Sequence, residues 1–100
     1  MNDKRKAPRR RVLKVGKIVF ADAMRVIDCT IRDLSKEGAR LIVGNTLGVP
    51  DTFQLFEKST GMLYSSTVIW RQKDSVGVKF EGEPTSIYDA ANKRFARLKF

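Results

Sequence analysis

Residues 26–43 read VIDCTIRDLSKEGARLIV. Apolar side chains recur at every second position: Ile27, Cys29 and Ile31, then Ala39, Leu41 and Val43. Asp28, Thr30 and Arg32 fill the gaps in the first run. A period of two marks a strand with one buried face, whereas a helix repeats at 3.6. The polar link between the two runs is short enough to join them as an antiparallel hairpin. As a turn, Asp33 and Ser35 cap local backbone, and Gly38 supplies a positive φ before the next strand.

The same period continues on both sides. VLKVGKIVF at 12–20 is rich in β-formers, with Gly16 marking a bulge or a close approach. GNTLGVPD at 44–51 is a turn cluster, TFQLFE at 52–57 a short strand, and KSTG at 58–61 turns it back into MLYSSTVIWRQ at 62–72. After the tight link KDS, VGVKF at 76–80 places Val76, Val78 and Phe80 on one face. The tail then changes period. Pro84, Thr85 and Ser86 form a helix-start signal, Asp89 sits in the first turn, and Ile87, Ala90, Ala91, Phe95 and Leu98 share a helical stripe. Six short strands and one helix predict a single all-β domain. The expected architecture is a six-stranded antiparallel β-barrel with a C-terminal α-helix from about residue 85, lying over its open end or a face.

Charge is unevenly distributed. The chain carries 20 basic and 11 acidic residues, a net of +9. Residues 1–17 hold eight basic residues against Asp3, a net of +7, which leaves +2 for everything else. The basicity therefore belongs to an arm, whose natural partner is anionic. Residues 1–11 lack core-forming side chains and are expected to form a mobile arm, with residues 12–100 as the folded domain.

Other classes are disfavoured. No apolar run approaches the roughly 20 residues of a membrane helix, and Lys14 and Lys17 interrupt any signal-type stretch, so a cytoplasmic protein without membrane association is expected. Cys29 is the one cysteine and alternates with Ile27 and Ile31, which reads as a buried thiol. There is no histidine, the commonest general base, and the acidic residues are scattered singly. The expectation is no enzyme, no metal and no cofactor.

Two stretches carry the chemistry. RKAPRRR at 5–11 displays arginines whose planar forks grip phosphate or the O6/N7 edge of guanine through paired hydrogen bonds. Pro8 denies that stretch a helix and keeps it extended. In DLSKEG at 33–38, Asp33 and Ser35 are two apart and point the same way on extended backbone. A carboxylate there accepts from guanine N1–H and its exocyclic amine, Ser35 gives or takes one further bond, and Gly38 lets a flat base approach the backbone.

Arg5 and Arg9 ahead of the first strand, followed by Asp33, Ser35 and Gly38 between the second and third, resemble the paired RxxxR and D/NxSxxG motifs of PilZ domains. GARL at 38–41, VIWR at 68–71 and GVKF at 77–80 resemble the strand sequences of that family. The resemblance covers Arg5 to about Phe80 and implies a PilZ-type barrel that binds cyclic di-GMP, with Arg5, Arg9, Asp33, Ser35 and Gly38 as ligand-binding residues. Lys6 and Arg10 have the same separation, and Arg10 or Arg11 is placed to share the work of Arg9, which follows Pro8 as in the family pattern. A stand-alone receptor is expected, one that changes conformation on binding and signals to a downstream protein partner. The competing reading is a small basic β-barrel that binds nucleic acid, its arm tracking phosphates and its aromatics stacking on bases. The near-balanced body argues against specific nucleic-acid binding, and Trp70 reads as a packing anchor rather than a base platform.

Overall fold

The computed structural model describes residues 10–99, with the backbone alone at Arg10, Arg11 and Lys99. Six strands, β1 (Arg10–Phe20), β2 (Arg25–Leu34), β3 (Gly38–Ile42), β4 (Thr52–Glu57), β5 (Met62–Arg71) and β6 (Ser75–Phe80), pair antiparallel in the order β4-β1-β2-β3-β6-β5. β5 pairs in turn with β4, which closes the sheet. The expected six-stranded antiparallel barrel is present, and closure leaves none of the six with an unpaired edge. A two-residue strand, β7 (Thr85–Ser86), runs beside Met62 and Leu63 of β5.

Alternation in the strands fills the interior. Ile18, Ile31, Leu41, Leu55 and Val76 are fully buried there, with Val78 at 3% exposure. A Cβ on Gly16 would stand 2.9 Å from Ile31 Cγ1 and 3.1 Å from Cys29 Sγ, so this glycine makes room for β2 side chains beside it. Cys29 is buried as expected, and burial, with Asp28 nearby, pushes its thiol up to about 12. A thiol held that high presents almost no thiolate at neutral pH. A thiol reagent is therefore expected to label Cys29 only as fast as the barrel opens, which labelling kinetics in the native state and in denaturant will check. Labelling at a free-thiol rate would contradict the burial.

A second apolar cluster lies on the outside of the barrel. Val19, Phe56 and Leu63 point away from the interior of β1, β4 and β5 and are covered by Ile87, Phe95 and Leu98. Three residues of the tail's apolar stripe thus cover a face rather than an open end, while Ala90 and Ala91, expected in the same stripe, are exposed. The helical element begins at Ala90, later than the pattern places it, and winds as a 3-10 helix to Lys99 with a break at Asn92. The cause is local. Asn92 is buried and its amide donates to Thr85 Oγ1 and to the Ser86 carbonyl, at 3.0 and 2.7 Å. Tying the helix back to β7 in this way tightens its first turn. The same segment holds the β1–β2 hairpin, where Ala21, Asp22 and Ala23 all take positive φ. Such backbone is strained for residues with a Cβ and persists where surrounding contacts fix it. Arg97 donates to the Ala23 carbonyl, and Arg94 Nε lies 3.4 Å from Asp22 Oδ1.

Candidate ligand-binding site

Two bulges decide what the barrel shows on its outer surface. Strict alternation from Ile27, Cys29 and Ile31 would turn Asp33 into the core. Instead Ile31 pairs with Leu41 and Asp33 with Arg40, so β2 carries an extra residue, Arg32, at that point. The bulge inverts the alternation, bringing Leu34 inward against the core and Asp33 outward beside Arg40. β5 repeats the device. Val68 pairs with Val78 and Trp70 with Gly77, with Ile69 as the extra residue, so Trp70 leaves the interior as well. Trp70 does act as a packing anchor, but on the outer face. A Cβ on Gly77 would lie 2.1 Å from its indole Nε1.

The ladders align these residues. Asp33 pairs with Arg40, Arg40 with Gly77, and Gly77 with Trp70, giving a row across β2, β3, β6 and β5. On the other side the Arg11 backbone pairs with Asp33. The basic stretch therefore enters the barrel directly beside the acidic position. Arg5 and Arg9 lie outside the described residues, and Arg10 is described only by its backbone, opposite Leu34. Asp33 is 13% exposed at its side chain, and Arg40 Nη1 stands 3.6 Å from its Oδ2.

The turn after Asp33 is built on Ser35. Its Oγ accepts from the Glu37 and Gly38 backbone N–H groups at 3.1 and 3.3 Å, and its own N–H donates to the Gly38 carbonyl at 2.9 Å. Ser35 thereby holds the turn, as its short hydroxyl side chain permits. Gly38 serves a different purpose from the one a turn glycine suggests. It is absent from the positive-φ residues, and a Cβ there would meet the Val78 carbonyl oxygen at 2.1 Å. Glycine is required because β3 and β6 approach closely at that point. The Phe80 N–H to Glu37 carbonyl bond, 2.8 Å, fastens the turn to β6.

Beneath the turn lies a feature the sequence reading missed. Glu57 is 1% exposed, yet charged, at the interior end of the barrel. It accepts from Lys14 Nζ at 2.6 Å, Tyr64 OH at 2.7 Å and Thr60 Oγ1 at 2.9 Å. Burial alone would raise its pKa, but the hydrogen bonds from Lys14, Tyr64 and Thr60, with the Lys14 charge, hold it below the ordinary 4.5. Burial and the neighbouring Glu57 carboxylate push the Tyr64 phenol up. The Tyr64 ring stacks on Phe80 at 4.6 Å between centroids. Both rings wall a cavity of about 420 Å³ with Leu34, Ser35 and Lys36 of the turn. One sequence signal was available: Glu57 alternates with Phe53 and Leu55, so a carboxylate was due on the inner face.

A family model, PilZ domain, matches residues 3–95, and the chain belongs to that family. PilZ domains are binding domains, and their known ligand is the dinucleotide cyclic di-GMP. No curated protein matches the sequence. Among the described residues there is no metal-holding group of acidic, cysteine or histidine side chains, and no helix long and apolar enough to cross a membrane.

Proposed function

We propose that this chain is a cyclic di-GMP receptor whose site is the outer row from Asp33 to Trp70, closed by Arg5, Arg9 and Arg10. The single observation that carries the reading is the pair of bulges, at Arg32 and Ile69, which turn an acid and an indole onto one outer row. Asp33 accepts from the Watson–Crick edge of one guanine, and Ser35 holds the turn that fixes that carboxylate. The indole of Trp70 offers a flat face for a base. Arg5 and Arg9 ahead of β1, with Arg10 at its start, take the phosphates, for which their forks are matched. Binding brings the basic segment onto the barrel face, and that change of surface is what a downstream protein partner reads. The chemistry is recognition without catalysis.

Charge-assisted hydrogen bonds contribute about 1.5–3 kcal/mol each, so Asp33→Ala and Arg9→Ala are each expected to weaken cyclic di-GMP binding by roughly 10- to 100-fold. Calorimetric titration of each variant checks this, and parent-like affinity removes that residue from the site. An excess of mixed-sequence RNA is expected to leave the bound dinucleotide in place. Displacement by RNA would favour a nucleic-acid-binding barrel instead.

A further inference from the structure

The row holds a cation that neither motif includes. Arg40 lies between Asp33 and Gly77 in the ladder, with Trp70 one strand beyond. Neighbouring strands stand about 4.8 Å apart, so the row from Asp33 to Trp70 spans roughly 14 Å. A dinucleotide held by Asp33 at one end and stacked on Trp70 at the other must cross Arg40. The Trp70 indole lies over Gly77, the neighbour of Arg40 on β6, so a base stacked on that ring lies beside Arg40.

We propose that Arg40 is a ligand-binding residue that exchanges partners, leaving Asp33 for a phosphate of the bound dinucleotide. The proposal rests on the receptor reading above. The Arg40 Nη1 to Asp33 Oδ2 separation is 3.6 Å, too long for a hydrogen bond. The Arg40 side chain is 37% exposed against 13% for Asp33, so the guanidinium is the partner with room to turn away. Guanine N–H groups then take the carboxylate, and the guanidinium turns to a phosphate that accepts both arms of its fork. No bond is made or broken in the exchange, and no proton need move, because arginine stays charged throughout. Arg40 thus keeps Asp33 compensated before the ligand arrives and neutralises part of the ligand afterwards.

The two roles of Arg40 separate in a double-mutant cycle, measured by calorimetric titration with cyclic di-GMP. Arg40→Ala is expected to bind about 10-fold more weakly than the parent while melting within a few degrees of it, since the pair it loses is a long one at 3.6 Å. In an Asp33→Asn background there is no ion pair to give up, so removing Arg40 is expected to cost at least as large a factor again. Parent-like or tighter binding by Arg40→Ala overturns the proposal. So does an Arg40→Ala penalty that disappears in the Asp33→Asn background, because Arg40 would then act only by holding the carboxylate. If the parent chain itself does not bind cyclic di-GMP, the receptor reading falls first and this assignment with it.

Discussion

Replacing Gly38 with alanine is expected to destabilise the chain by about 3 kcal/mol and lower its melting temperature by roughly 15 °C, as overpacking at a rigid contact does in a domain of this size. The added Cβ would meet the Val78 carbonyl oxygen at 2.1 Å, the Val78 carbonyl carbon at 3.2 Å and Lys79 Cα at 3.3 Å. All three are backbone atoms, so no side chain can rotate away, and β3 must separate from β6. That separation strains the Phe80 N–H to Glu37 bond and the Ser35 N–H to Gly38 bond, which shape the turn. Ligand binding should therefore fall together with stability. Lys36→Ala, at an exposed position in the same turn, serves as the control and should melt like the parent. A Gly38→Ala variant that melts within a few degrees of the parent would show that the two strands do not pack as closely as the ladder requires.

Glu57→Ala is expected to be as damaging, at about 3 kcal/mol, because removing one partner of a buried ion pair leaves the others uncompensated. Here those are Lys14 and the Tyr64 hydroxyl, and the side chain removed is 2% exposed. The acid dependence gives a sharper signature. The carboxyl titrates below its ordinary 4.5 in the folded chain, so its contribution is fully present above that value. It is lost as pH falls through the folded-state value. Compared by chemical denaturation, Glu57→Gln should trail the parent by a constant margin above about pH 5 and close the gap on further acidification. A margin that does not change with pH would mean that the charge of Glu57 contributes nothing to the fold. Since Tyr64 stacks on Phe80, and Phe80 is bonded to the turn, the same variants are expected to loosen the wall of the cavity under Ser35.

The barrel was legible because period-two alternation in 26–43 and in the flanking strands reports burial directly. The site was legible only in its residue types. Asp33, Ser35 and Gly38 stand out in sequence, but strict alternation from Ile31 would point Asp33 inward, and nothing in the letters IRD marks Arg32 as the extra residue. A bulge is set by pairing with a distant strand, and that information is not local. The outward turn of Trp70 was hidden for the same reason, since the bulge at Ile69 exists only against Val78 and Gly77. The positive φ expected of Gly38 is absent, and its need for no Cβ comes from β6, some forty residues later in the chain. In the tail, the apolar stripe foretold the covered face, but Asn92 bonding back to Thr85 and Ser86 replaced the expected α-helical turns with a tighter winding.

In the proposed receptor, an outward-turned carboxylate and the arginines at and before the start of β1 grip one dinucleotide between them. Isothermal titration of the purified chain with cyclic di-GMP, run alongside Asp33→Ala, tests it most directly. Saturable heat with a defined stoichiometry is expected for the parent, and an affinity roughly 10- to 100-fold weaker for the variant. Absence of binding to the folded parent at saturating ligand, or equal binding by both proteins, would contradict it.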